Sequence, residues 1–140
     1  MCQLAFSQLR ASSGSIINFG SNAALDPKPM AVGHAHYAAA KAGVFALTRA
    51  LAAEWGPAGI RINAVVPAVS SPMLDEYRAR LDESGRERLD ALLKWQIPLG
   101  GAYGDPRADL APVLVFLVSD ASRFITGQIL CVDGGKGFVR

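Results

Sequence analysis

The chain has 140 residues, of which 51% are hydrophobic and 19% charged, a balance that can bury a core and weighs against global disorder. Its formal net charge is only +2 and its Lys and Arg residues are scattered, which argues against nucleic-acid or membrane-surface partners. Cys2 and Cys131 lie at opposite ends, with neither metal-ligand spacing nor a disulfide framework, so no metal site and a reducing, cytoplasmic setting are expected.

Residues 1–10 read as a helix that lacks an N-cap signal, as though the chain began inside an element, and they carry no signal-peptide pattern. No stretch reaches the ~18 apolar residues that a membrane span requires. Ser15-Ile16-Ile17-Asn18-Phe19 predicts a first strand after Ser-Ser-Gly. From Gly20 to Gly33 the chain is turn-like, and Asp26-Pro27-Lys28-Pro29 forbids a helix there.

Residues 34–55 predict a long helix rich in Ala and Leu that stops at Gly56-Pro57. Ile60-Arg61-Ile62-Asn63-Ala64-Val65-Val66 predicts a second strand, ended by Pro67 and apolar enough for burial on both faces. Residues 70–97 predict an exposed pair of amphipathic helices interrupted at Gly85. Asp105-Pro106 opens a further helix to about Val118, with Leu110, Val113, Leu114 and Leu117 as its buried stripe. Ile129-Leu130-Cys131-Val132 is the last predicted strand. The alternation specifies an α/β chain with a three-stranded parallel sheet, like half of a doubly wound, Rossmann-like fold.

Tyr37 and Lys41 are four residues apart, about 40° around a helix axis, and therefore share a face. Val44, Leu47, Leu51 and Trp55 fall within about 80° of one another. They are expected to form the core-facing stripe, with Lys41 at its edge. A phenol is a poor acid at neutral pH, and an ammonium within ~4–6 Å favours its ionised form. Such a pair can give a proton to a carbonyl oxygen as hydride reaches the carbon, and take it back in reverse.

Four segments in order give this pair its company. Gly14-Ser15-Ile16-Ile17-Asn18-Phe19-Gly20-Ser21 resembles the serine-bearing strand of short-chain dehydrogenases/reductases. Tyr37-Ala38-Ala39-Ala40-Lys41-Ala42-Gly43 resembles their Tyr-x-x-x-Lys helix. Ile60-Arg61-Ile62-Asn63-Ala64-Val65-Val66-Pro67 resembles the following strand, and residues 125–135 resemble the closing one. Together they cover nearly the whole chain, which is most similar to the classical branch that includes 3-oxoacyl-acyl-carrier-protein reductases.

The resemblance implies an NAD(P)-dependent ketone or secondary-alcohol oxidoreductase. Ser21 would bond the substrate carbonyl, Tyr37 would be the general acid/base, and Lys41 would assist Tyr37 and hold the nicotinamide ribose. Pro67, Val69 and Ser71 would line the nicotinamide end, although Ala68 replaces the family's usual glycine and could displace that loop. Residues 70–97 would be a substrate lid. Asn18 and Asn63 are expected to be structural.

The family's glycine-rich phosphate turn and its selector of NAD over NADP find no counterpart in residues 1–140. The chain is therefore expected to be a partial dinucleotide-binding domain, a fragment or truncated form whose full-length version acts as a homo-oligomer, dimer or tetramer. The alternative is a non-catalytic interaction module derived from the family that pairs with a full-length relative.

Overall fold

The computed structural model describes residues 2–25 and 33–137. The expected Asp26-Pro27-Lys28-Pro29 turn lies outside the described residues. Helix α1 spans Cys2–Ser12, strand β1 Ser15–Phe19, helix α2 Ala35–Trp55 and strand β2 Arg61–Pro67. Helices α3 (Pro72–Ala79) and α4 (Glu83–Gln96) form the excursion, and helix α5 (Ala111–Val118) leads to strand β3 (Ile129–Val132). The strands form one parallel sheet in the order β1-β2-β3, with Phe19 opposite Val65 and Pro67 opposite Val132.

β2 is the centre of the core. Ile62, Ala64, Val65 and Val66 are fully buried, as a central strand covered on both faces demands. Alternation sends Ile62, Ala64 and Val66 to one face. There Ile62 packs with Ala52, Trp55 and Ile60 beneath Phe6 and Leu9 of α1, and Ala64 and Val66 pack with Phe45. The Phe6 and Trp55 rings meet edge-on at 4.9 Å.

The buried stripe of α2 is Phe45, Thr48, Ala52 and Trp55. This corrects the expected Val44, Leu47, Leu51 and Trp55 stripe, since Leu47 is 47% exposed. A helix made mostly of Ala has little polar contrast to fix its rotation. Partner contacts decide instead: Thr48 Oγ1 donates to Val44 O (2.8 Å) and accepts from Asn18 Nδ2 of β1 (2.9 Å). In the rotated frame Tyr37 and Lys41 extend the buried stripe itself by 3–4 spacing towards the start of the helix.

The excursion breaks at residues 80–82, before Gly85 rather than at it. Asp82 caps α4 by accepting from Gly85 N at 2.7 Å. A Cβ on Gly85 would lie 2.9 Å from that carboxylate oxygen and 3.2 Å from Leu81 Cβ. The glycine thus permits a close cap and does not interrupt the helix.

Two polar anchors lock the sheet to the α5 side. Asn63 donates to Ile125 O (2.9 Å) and accepts from Gln128 N (3.0 Å), the structural part expected for it. Arg61 Nη1 donates to Leu117 O (2.8 Å), Ser122 O (3.2 Å) and Ser122 Oγ (2.7 Å), and its Nη2 donates to Ser119 O (3.2 Å). The guanidinium thereby satisfies carbonyls left open at the end of α5, where a cation also opposes the helix dipole.

Both cysteines are free thiols. Burial, with a smaller push from the Asp133 carboxylate, raises Cys131 to about 11. The fold favours the neutral thiol, so this contribution to stability is present below the ordinary thiol range and lost as pH rises through about 11. Alkylation of Cys131 is expected to keep climbing, about tenfold per pH unit, from pH ~8 to ~10, because thiolate is the reacting species. Peptide mapping after timed iodoacetamide exposure checks this, and a plateau near pH ~9 would contradict it.

Candidate active site

The strands' C-terminal ends build the site. Past Phe19 the ladder continues one residue, with Gly20 N donating to Val65 O at 2.8 Å. Gly20 is buried against Phe45 and Val66, which leaves no room for a side chain. Ser21 then turns outward in an extended conformation and caps the short 3-10 turn Asn22–Ala24, accepting from Ala23 N at 3.2 Å. Its hydroxyl proton remains available for a second partner.

Tyr37 lies in the first turns of α2 and is 41% exposed. One turn later, Lys41 Nζ sits 5.8 Å from the Tyr37 ring centroid and donates to Phe19 O at 2.9 Å. The ammonium is thus tied to the backbone two residues before Ser21.

Beyond β2, Ala68 is buried and Val69 bridges Gly104. Among the described residues Ser13 is the sole non-glycine with positive φ, so Ala68 keeps an ordinary backbone at the glycine position. Gly104 N donates to Ala68 O (3.0 Å) and Ser70 N donates to Gly104 O (2.9 Å). In a parallel bridge of this kind the intervening residue's own N–H and C=O point the other way, so Val69 offers one donor and one acceptor away from Gly104. Ser71 caps α3 by accepting from Leu74 N at 3.3 Å.

These pieces surround one open cleft of about 500 Å³. Ser21, Tyr37, Pro67, Val69 and Ser71 all line it, together with Met73 and Tyr77 of α3. Lys41 is not in its lining. Three further polar lining residues carried no signal in the sequence: Asn22, Tyr103 and Lys136. Asn22 Oδ1 is buried without a hydrogen-bond partner, an uncommon state for a buried polar atom. Tyr103 and Lys136 come from loops 33 residues apart. Among the described residues no group of three or more His, Cys, Asp or Glu side chains could hold a metal, and no helix is long and apolar enough to cross a membrane.

A sequence model of the family described as enoyl-(acyl carrier protein) reductase matches residues 1–136. The chain belongs to the short-chain dehydrogenase/reductase family. It is 39% identical over 128 residues to a 3-oxoacyl-acyl-carrier-protein reductase of Thermotoga maritima, covering 91% of this chain and 47% of that protein. It is 35% identical over 129 residues to a 12α-hydroxysteroid dehydrogenase of a Clostridium species, covering 92% and 46%. The solved structure of a short-chain dehydrogenase/reductase family oxidoreductase from Burkholderia thailandensis superposes with a TM-score of 0.75 at 36% identity, covering 93% of this chain and 48% of that one. The chain therefore spans about half the length of the curated relatives it matches. Its three-stranded parallel sheet with flanking helices is the corresponding part of the family's Rossmann-like fold.

Proposed function

We propose that this chain carries the catalytic half of an NAD(P)-dependent oxidoreductase that interconverts a ketone and a secondary alcohol. The observation that supports this is the convergence of Ser21 and Tyr37 on one cleft, with the Lys41 ammonium anchored to Phe19 O beside them. Ser21 donates its free proton to the substrate's oxygen and holds it near Tyr37. Tyr37 gives that oxygen its proton during reduction and removes it during oxidation. Lys41 stabilises the negative charge that grows on the phenol.

The donor set at the strand ends fits a nicotinamide riboside. The outward N–H and C=O of Val69 complement a carboxamide, Pro67 supplies an apolar wall, and the hydroxyl of Ser71 can meet oxygens of the pyrophosphate, while the Lys41 ammonium, anchored to Phe19 O beside the cleft, has donors left for the ribose. When bound, the dinucleotide supplies the hydride. Residues 70–97 act as a lid whose Met73 and Tyr77 favour a substrate with apolar bulk.

The test compares this chain with the longest native product that contains it. The longer protein is expected to consume NADH or NADPH with a panel of hydrophobic ketones. The 140-residue chain alone is expected to bind either cofactor poorly, since it holds no glycine-rich phosphate turn. Low-micromolar affinity in a fluorescence titration of the short chain would refute that half of the proposal, and an inert longer protein would refute the other.

One feature favours association as a second part of the same reading. Among the described residues β1 is an edge strand with no partner on its outer side, and Val115, Val118 and Phe124 lie 56–100% exposed around α5. Apolar surface of this kind marks contact with another polypeptide. The other half of a full-length domain, a second copy in a homo-oligomeric form, or a full-length relative pairing with this chain would cover it.

A further inference from the structure

Lys136 is the sole charged side chain lining the catalytic cleft among the described residues. Its Nζ donates to Tyr103 Oη at 2.8 Å and lies 4.5 Å from that ring's centroid. Both residues are held from behind. The Asp133 carboxylate accepts from Gly135 N and Gly137 N, each at 3.0 Å, and so fixes the turn that carries Lys136. The backbone bonds of Gly104 with Ala68 and Ser70 fix the loop that carries Tyr103.

The described residues give Lys136 no carboxylate partner. Their ion pairs are Arg78 with Asp90 and Arg80 with Glu76, and the oxygens of Asp133 are engaged by backbone N–H groups. An ammonium has three donors, and one of them is used on Tyr103. The phenol, as acceptor of that bond, keeps its own O–H to donate. The pair thus presents several donors and a positive charge to the cleft that holds Ser21 and Tyr37. Tyr103 also lines the small cavity beneath the lid with Leu74 and Leu93, which places the pair on the lid side of the cleft.

Resting on the reading above, we propose that Lys136 and Tyr103 recognise an anionic group of the substrate, so that the preferred substrates are oxo-acids or hydroxy-acids rather than neutral ketones and alcohols. The carboxylate accepts from Lys136 and Tyr103, while the carbonyl to be reduced lies against Ser21 and Tyr37. A charge-assisted contact of this type discriminates by about tenfold to hundredfold against a neutral analogue.

The experiment uses the longest native product containing the chain, with 3-oxobutanoate and 4-oxopentanoate set against their methyl esters. The wild type is expected to favour the acids by about tenfold or more in kcat/KM. Lys136→Met and Tyr103→Phe are each expected to bring the acid-to-ester ratio towards one. Equal use of acid and ester by the wild type, or a ratio untouched by Lys136→Met, overturns the proposal. A rise in cofactor KM that is the same for acid and ester reassigns the anion to the cofactor's phosphate, and also overturns it. If no hydride transfer occurs with any compound, the catalytic reading fails by itself. NMR titration of the chain with 3-oxobutanoate then decides the anion site. A saturable shift of the Lys136 ε-methylene signal that the methyl ester does not produce supports the site, and its absence rejects it.

Discussion

Tyr37→Phe in the full-length form is expected to lower turnover by about 10²- to 10⁴-fold, the usual worth of a positioned general acid/base. The substitution removes one oxygen from a side chain that is 41% exposed at the cleft, so neither packing nor helix propensity changes appreciably. The Lys41 bond to Phe19 O does not involve the phenol and should persist. Cofactor affinity and thermal midpoint are therefore expected to stay near their wild-type values, and the loss should appear in kcat. Steady-state kinetics alongside a cofactor titration separate these quantities. Turnover at the wild-type level would remove Tyr37 from the chemistry.

Gly20→Ala is expected to damage stability and activity together. The new Cβ would overlap Phe45 Cε1, and would sit 2.8 Å from Phe45 Cζ and 3.1 Å from Val66 Cγ2. Phe45 is itself buried between α2 and β2, so its ring cannot swing clear. Overpacking of this kind costs about 1–3 kcal/mol. Relief by shifting the backbone would carry Ser21, the next residue, away from Tyr37. Gly43→Ala provides the contrast. It lies on the same helix as Phe45 with nothing within 4 Å of its would-be Cβ, and it should stabilise by roughly 0.5–1 kcal/mol. Urea unfolding of the two variants checks both signs. A neutral Gly20→Ala would show that the strand end is looser than its packing indicates.

Much of this architecture is legible because turn chemistry punctuates the chain. Gly14, Gly56-Pro57 and Pro67 bracket β1, α2 and β2 to within a residue or so of the observed ends. The parallel sheet with a doubly covered central strand follows from the Ala64-Val65-Val66 run and the scarcity of charge in β2. What misleads is rotation and local crowding. The Ala-rich α2 reads almost equally well in several rotations, so its spacing points Leu47 to the core while Phe45 and Thr48 occupy it. Gly85 has the look of a helix breaker until the Asp82 cap is seen resting against it.

The cleft shows the same division. Ser21, Tyr37, Pro67, Val69 and Ser71 fall on short motifs at predictable strand and helix ends, and they line one cavity. Lys136 and Tyr103 belong to loops whose meeting depends on how the 98–104 segment folds back over β3. No periodicity records that. The orphaned Asn22 oxygen is invisible in sequence for a similar reason, since its burial depends on the 133–137 turn closing nearby, where a Cβ on Gly137 would stand 3.4 Å away.

The guanidinium of Arg61 gives the sheet two poles with separate duties. It gathers the carbonyls of Leu117, Ser119 and Ser122 at the end where β2 begins, whereas every proposed reactive group sits where β2 finishes. Robustness and reactivity are thus set at opposite rims of the molecule. Directed improvement of shelf life can work on the Arg61 rim, and redesign of substrate choice on the other, with each library leaving its counterpart's residues untouched.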